Sequence, residues 1–364
     1  MLPLSRLCLT RVLSVAICVC TTGVAAADNE SHDWLARMAY ALEYLNYEGT
    51  LIQLQGQDPA VMRIVHRVDG GVPTERITAL DEVGREIIRH GNVVTCILPD
   101  QRVVLVEDRG PDGRNASPLQ KQFASDAQFD KRYYQLAIAS GGSLLGRDTR
   151  VITVRPTDNY RYGYRLWLDH ATAMPLKVQV TAEDGSVVEQ LLFTDISLPA
   201  QIAESAIQPT LATDSFSWHR SSVATTTDPA AGSTTAWQIG TPPPGFELRA
   251  MRTQRRPDAG AQPGGSIGPG TMQQLVLSDG VASVSVFIEG GVTAAEQAEG
   301  ASRLGAANAY STMVGNFLVT AMGEVPVRTV EAIAKTVGVA ELLPKSLVPK
   351  SLVQEPLPAE LPSP

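Results

Sequence analysis

Alternation with a period of two is the feature that most constrains this chain. Thr50-Leu51-Ile52-Gln53-Leu54-Gln55, Val61 to Val68, Glu86 to Arg89, Val93 to Leu98 and Arg102 to Glu107 each read as a strand. Turn-forming residues separate them: Gly56-Gln57-Asp58-Pro59, Asp69-Gly70-Gly71, Gly91-Asn92 and Pro99-Asp100. More strands follow at Val151 to Val154, Tyr160 to Leu168, Leu176 to Ala182 and Val187 to Thr194, the last two joined by a tight turn from Ala182 to Gly185. Tyr133 to Ala139 reads as one arm of a hairpin that turns at Gly141-Gly142. Short strands without helices between them predict an antiparallel sheet, curved or closed, and exclude a doubly wound fold.

The ends of the chain are of another kind. Arg6 and Arg11 precede an apolar run from Val12 to Val24, and Ala25-Ala26-Ala27 leads to the first acid, Asp28. This pattern predicts a cleaved secretory signal over 1–27. The charge-free stretch is shorter than the roughly 20 residues that span a bilayer. Cys8, Cys18 and Cys20 leave with the signal, so the exported chain keeps Cys96 alone and no internal disulfide. Cys96 falls in an apolar strand and reads as a small core residue. Ser31 is placed to cap a helix running toward Asn46, with Trp34, Met38, Ala41 and Leu45 on one stripe that Leu35 and Leu42 widen.

Residues 108–128 read as loop, and residues 221–236, rich in Ser, Thr, Ala and Gly, as a flexible linker between a first domain (28–220) and a second (237–340). Trp237 opens the second. It holds a Gly/Pro loop near 257–270 and strands at Gln273 to Leu277 and Ala282 to Ile288 around Asp279-Gly280. A last helix starts at Pro326 and stops at Gly338, with Val327, Val330, Ile333, Ala334 and Val337 as its buried stripe. The tail, 341–364, repeats Pro-Lys-Ser-Leu-Val and is expected to be extended and disordered.

The net charge of −8 argues against a nucleic-acid binder, which would carry a basic stripe. The most informative stretch is Tyr160 to Asp169. On a strand, Tyr160, Tyr162, Tyr164, Leu166 and Leu168 share one face, and Arg161 and Arg165 lie on the other. Met62 and Ile64 against Arg63 and Arg67 repeat the arrangement on Val61 to Val68. Core packing with solvated arginines is the plainer account of either strand alone. Together on a curved sheet they predict an apolar groove edged by arginines that suits an acyl chain with an anionic head. At about 0.8 kcal/mol per buried methylene, ten methylenes supply on the order of 8 kcal/mol before ordering costs.

Signs of catalysis are weak. The five histidines are scattered without metal spacing, and no nucleophile–base pair emerges. His66 reads as a satisfied core or rim histidine. The expectation is therefore no enzyme, no metal and no cofactor.

Several segments carry a resemblance. They are Asn46-Tyr47-Glu48-Gly49-Thr50, Met62 to Arg67, Glu75-Arg76, Leu80-Asp81, Arg85 to Arg89, Cys96, Tyr160 to Asp169, Glu189-Gln190 and Phe193-Thr194 in the first domain. In the second they are Pro244-Gly245-Phe246, Ser278-Asp279-Gly280, Ser283 to Phe287 and Gly323-Glu324-Val325-Pro326. By these the chain resembles the MucB/RseB family over nearly its whole exported length.

The resemblance implies a mostly β fold: an open antiparallel half-barrel like that of the lipoprotein carriers, sensing lipid, followed by a smaller α+β domain. It implies a periplasmic negative regulator of an envelope-stress sigma factor. Such a protein binds the periplasmic domain of a MucA/RseA-like anti-sigma factor, protects it from regulated proteolysis and lets go when lipopolysaccharide or another acyl ligand binds. The alternative is a periplasmic lipid or lipoprotein carrier, which has no need of a second domain. A homo-oligomer is left open. The groove account also has a condition: a hollow filled by the molecule's own side chains leaves only a protein-docking shield.

Overall fold

The computed structural model of the chain describes residues 22–56, 58–81, 84–108, 129–222, 237–255, 271–290 and 299–339. Helix α1 (Thr22–Tyr44) comes first. It starts earlier than Ser31 because the three alanines, strong helix formers, extend it backward. Ser31 is fully buried in mid-helix instead of capping it. The stripe Trp34, Leu35, Met38, Ala41 and Leu42 is buried. Of the expected leader, only 22–27 belong to the described residues, and they are helical.

Twelve strands follow in one sheet. They are β1 (Tyr47–Gln55), β2 (Asp58–Asp69), β3 (Val72–Ala79), β4 (Glu86–His90), β5 (Val93–Leu98) and β6 (Val103–Asp108), then β7 (Tyr134–Leu144), β8 (Arg147–Pro156), β9 (Gly163–Asp169), β10 (Pro175–Thr181), β11 (Val187–Ser197) and β12 (Ser217–Ser222). The spatial order is β12-β6-β5-β4-β3-β2-β1-β11-β10-β9-β8-β7. Two meanders therefore meet where β1 pairs with β11. Neighbours are antiparallel except β12, which lies parallel to β6. Among the described residues the edge strands β12 and β7 do not pair, so the sheet is open. At the central seam the chain bulges at Thr50/Leu51. Gly49 is needed there, because a Cβ would stand 2.3 Å from the Asp195 carbonyl oxygen.

Several expectations are corrected. The hairpin β7–β8 does not turn at Gly141-Gly142, which is absorbed as a bulge. It turns at Leu145-Gly146, both with positive φ, as a two-residue hairpin loop requires. Strand β3 carries no apolar alternation, since Thr74 and Glu75 are its buried residues along with Ile77. Residues 221 and 222, expected in the linker, end β12. Strand β9 begins at Gly163 and not at Tyr160. After β11 the chain crosses the outer face of the sheet. Arg67 Nε donates to the Ile202 carbonyl (3.1 Å), and Arg76 donates to the Gln208 carbonyl (2.8 Å).

The second lobe contains β13 (Trp237–Ile239), β14 (Glu247–Arg255), β15 (Thr271–Ser278), β16 (Ser283–Gly290), β17 (Gly300–Leu304), β18 (Ala307–Val314), β19 (Phe317–Gly323), α2 (Val327–Thr336) and β20 (Val337–Val339). Six of its strands form an antiparallel sheet ordered β14-β15-β16-β19-β18-β17, and β13 pairs with β20. Helix α2 buries Val330, Ile333 and Ala334, whereas Val327 is exposed. Val337 and Gly338 do not end the helix. They start β20, where Gly338 faces Gln238. The strands β17 to β19 carried no signal strong enough to be expected. The expected loops at 109–128 and 257–270, most of the linker and the tail lie outside the described residues.

Candidate functional site

The face of the twelve-stranded sheet that α1 covers, its inner face, holds most of the groove residues expected from sequence. Ile64, Leu166 and Leu168 have no exposed surface, and Tyr162 and Tyr164 have little. Met62 is partly buried against the same core. These side chains are core here and do not line an open groove. The reason is the stripe of α1, whose Trp34, Leu35, Met38, Ala41 and Leu42 belong to one cluster with Leu51, Ile64, Tyr164 and Phe193. The turn between β17 and β18 adds a second cover. Ala306 is fully buried in that cluster, and Gly305 lies against Gln55. Tyr160 goes elsewhere and packs on the core of the second lobe.

The four arginines expected to meet an anionic head divide into two kinds. Arg63 pairs with Glu48 (3.0 Å) and Asp195 (3.5 Å) on the outer face. Arg67 pairs with Asp69 (2.6 Å), and Arg165 is exposed. Arg161 is fully buried between the lobes, which removes it from any head group. It precedes β9, in a bend shaped by Asp158, whose carboxylate accepts the Tyr160 N–H (3.0 Å).

Arg161 is the centre of the lobe junction. It donates to Asp279 Oδ2 through Nε (2.5 Å), to the Asp158 carboxylate and to the Pro244 carbonyl. Its guanidinium lies over the rings of Tyr133 (4.4 Å) and Phe246 (5.0 Å). Tyr134 Oη also donates to Asp279 Oδ2 (2.8 Å). Asp279 Oδ1 accepts the N–H groups of Val281 (2.9 Å) and Ala282 (2.7 Å), so the carboxylate takes four donors. Burial pulls the Arg161 pKa down, but the hydrogen bond and charge of Asp279 more than offset it. Tyr134 is held well above the ordinary phenol range by burial and then by the charge of Asp279.

More polar contacts flank this knot. Asn308 Nδ2 donates to Tyr162 Oη (3.0 Å) and to the Val325 carbonyl (2.7 Å), and Thr329 Oγ1 donates to the Tyr160 carbonyl (2.7 Å). The buried Glu189 accepts from Gln53 (2.7 Å) and, more weakly, from the Ala306 N–H (3.4 Å).

A second buried polar group crosses the inner face. Tyr47, His66, Glu75 and Arg89 stand in register on β1 to β4. Arg89 donates to Glu75 (2.5 Å), Tyr47 Oη lies 3.5 Å from the other Glu75 oxygen, and the Tyr47 and His66 rings are 4.6 Å apart. His66 is 1% exposed, and neither ring nitrogen has a hydrogen-bond partner. Burial lowers its pKa to about 4, so the ring is neutral. It is a core histidine, as expected, but not a satisfied one. Sequence reasoning missed the roles of Glu75, Arg89, Asp279 and Asn308. For Glu75 and Arg89 the available signal was charged residues at inward strand positions, which reads as noise until the partner strand is known.

The molecule is thus a two-lobed body: an open antiparallel sheet with an α+β lobe clamped on it through a buried ion pair. The chain belongs to the MucB/RseB family. Models of the family's N-terminal and C-terminal domains match residues 30–211 and 231–338. It is 29% identical over 313 residues to the sigma factor AlgU regulatory protein MucB of Pseudomonas aeruginosa, covering 85% of this chain and 90% of that one. It is 24% identical over 326 residues to the sigma-E factor regulatory protein RseB of Escherichia coli, covering 86% and 92%. Among solved structures it is similar to the Pseudomonas aeruginosa MucA/MucB complex, with a TM-score of 0.61 and 26% identity over 85% of this chain and 98% of that one. Crystalline MucB superposes with a TM-score of 0.56 at the same identity, covering 85% and 98%.

Proposed function

We propose that this chain is exported to the periplasm and acts there as a negative regulator of a sigma factor. It grips the periplasmic segment of a MucA/RseA-like anti-sigma factor, keeps that segment from the protease that starts its degradation, and releases it when an acyl chain or lipopolysaccharide binds. The observation that carries this reading is the likeness, over most of the chain, to a MucB solved together with the periplasmic part of MucA.

The covered inner face supports one route of release. Among the described residues α1 and the β17–β18 turn cover this face, so an acyl chain enters where one of them gives way. That turn is tied to the lobe junction through Ala306 and Glu189 and through Asn308 and Tyr162. Entry past that turn therefore disturbs the contacts that join the lobes, whereas entry past α1 leaves them in place. Coupling requires the lipid to bind the two states with different affinity; equal affinity would shift nothing.

The same covered face favours a second reading, a docking shield with no lipid response. Titrating the anti-sigma segment with and without lipopolysaccharide fragments separates the two. The switch predicts affinity falling about tenfold or more on adding lipid. Unchanged affinity leaves the shield, and failure to capture the segment at all leaves a lipid carrier.

A further inference from the structure

We propose that His66 is the polar anchor of a guest site on the inner face, where it hydrogen-bonds a hydroxyl carried on an otherwise apolar chain. The inference rests on the reading that acyl chains enter this face.

His66 is buried, and both its ring nitrogens lack partners. A buried donor or acceptor left unmet costs about 1–3 kcal/mol, and a native fold seldom keeps one without use. The neighbours on its rung do not meet the need. Glu75 is engaged by Arg89 and Tyr47, and Tyr47 offers His66 its ring and not its hydroxyl. The missing group must come from outside the chain.

The surroundings select its chemistry. A carboxylate or phosphate would lie beside the Glu75 charge. An ammonium would lie beside Arg89 and lose its hydration. The ring is neutral, with one donor nitrogen and one acceptor nitrogen. A hydroxyl both donates and accepts, so it suits either tautomer and brings no charge into the core. The neighbouring inward residues on β2 and β3, Ile64 and Ile77, are hydrocarbon and belong to the cluster that α1 covers. The ligand class is therefore a hydroxylated acyl chain, with methylenes on the aliphatic side chains and the hydroxyl at His66.

The test is calorimetric titration of the full chain with myristate and with a set of hydroxymyristates whose hydroxyl stands at successive carbons. At least one isomer is expected to bind about five- to tenfold tighter than myristate, the yield of one hydrogen bond. His66→Phe should abolish that gain while still binding myristate, and His66→Gln, which keeps a donor and an acceptor, should retain part of it. If every isomer matches myristate on the native chain, His66 holds at most an internal water and the anchor is overturned, though the acyl reading stands. If a gain persists in His66→Phe, the hydroxyl is read elsewhere and His66 loses the role. If no chain binds, the acyl reading fails and the anchor with it.

Discussion

Two of the buried polar clusters among the described residues are finished to different degrees. At the lobe junction, Asp279 accepts four hydrogen bonds, and Arg161 gives three and is sandwiched by aromatic rings. On the inner face, Glu75 and Arg89 are paired, but His66 beside them is left without a partner. A saturated cluster has nothing left to offer a guest, so its work is to hold two surfaces together. An unsaturated one keeps a bond in reserve. The difference marks the junction as architecture, and it is why recognition is proposed for the inner face.

The largest effect is expected at the saturated cluster. Asp279→Ala leaves the Arg161 charge buried with Asp158 alone and should cost about 3–5 kcal/mol. Denaturant unfolding would measure it, and loss of the junction should split the transition into two steps as the lobes unfold apart. Replacing both charges, Arg161→Met with Asp279→Leu, should cost less than the two single changes added together, because no lone charge remains. A single unsplit transition in Asp279→Ala would mean that the lobes are held by something else.

Next comes the pH dependence of the other cluster. Unfolded, His66 titrates near 6.5; folded, burial lowers it to about 4. Between these values the unfolded state holds the proton and the folded state does not. Stability therefore falls as pH drops from about 6.5 through 4, by up to about 3 kcal/mol from this group. His66→Phe should remove that part of the acid slope. An identical slope in the variant would show that His66 is better solvated than its burial implies.

A smaller loss, about 1–3 kcal/mol, is expected from Gly245→Ala. Gly245 has a φ of +84°, and a Cβ would stand 2.5 Å from the Tyr133 ring and 2.7 Å from the Arg161 guanidinium. The strain falls on the junction alone, so unfolding should be destabilised while the acid slope of His66 is unchanged. A shift in that slope would mean that the two clusters are coupled.

How much of this was legible follows from what alternation can encode. Strands such as β2, β5, β10, β11, β15 and β16 show it, and they were read nearly to their ends. Strand β3 hides because its buried residues include Thr74 and Glu75, on opposite faces, whose partners His90 and Arg89 lie on another strand. The junction was legible only as words without grammar. Tyr160-Arg161-Tyr162, Pro244-Gly245-Phe246 and Ser278-Asp279-Gly280 were each noticed as family-like, yet Arg161 and Asp279 are 118 positions apart. No local period reports such a pairing. Parity placed Tyr164, Leu166 and Leu168 on one face correctly but could not tell an open face from one that α1 covers.

The smallest effect sharpens the contrast from the opposite side. Arg63 was grouped with Arg161 by sequence, but its side chain and that of Glu48 are 38% and 36% exposed. Exposed pairs of this kind contribute about 0–1 kcal/mol. Arg63→Gln combined with Arg165→Gln should therefore leave unfolding within about 1 kcal/mol of the native chain, against the several kcal/mol at Arg161. If these outer arginines meet an anionic head or an acidic partner, the double variant should instead weaken that binding, and more so at low salt, where screening is weakest. A large loss of stability would mean that outer and junction arginines are alike. Unchanged stability with unchanged binding at low salt would remove the outer face from recognition and leave it to the inner face, where His66 is the group without a partner.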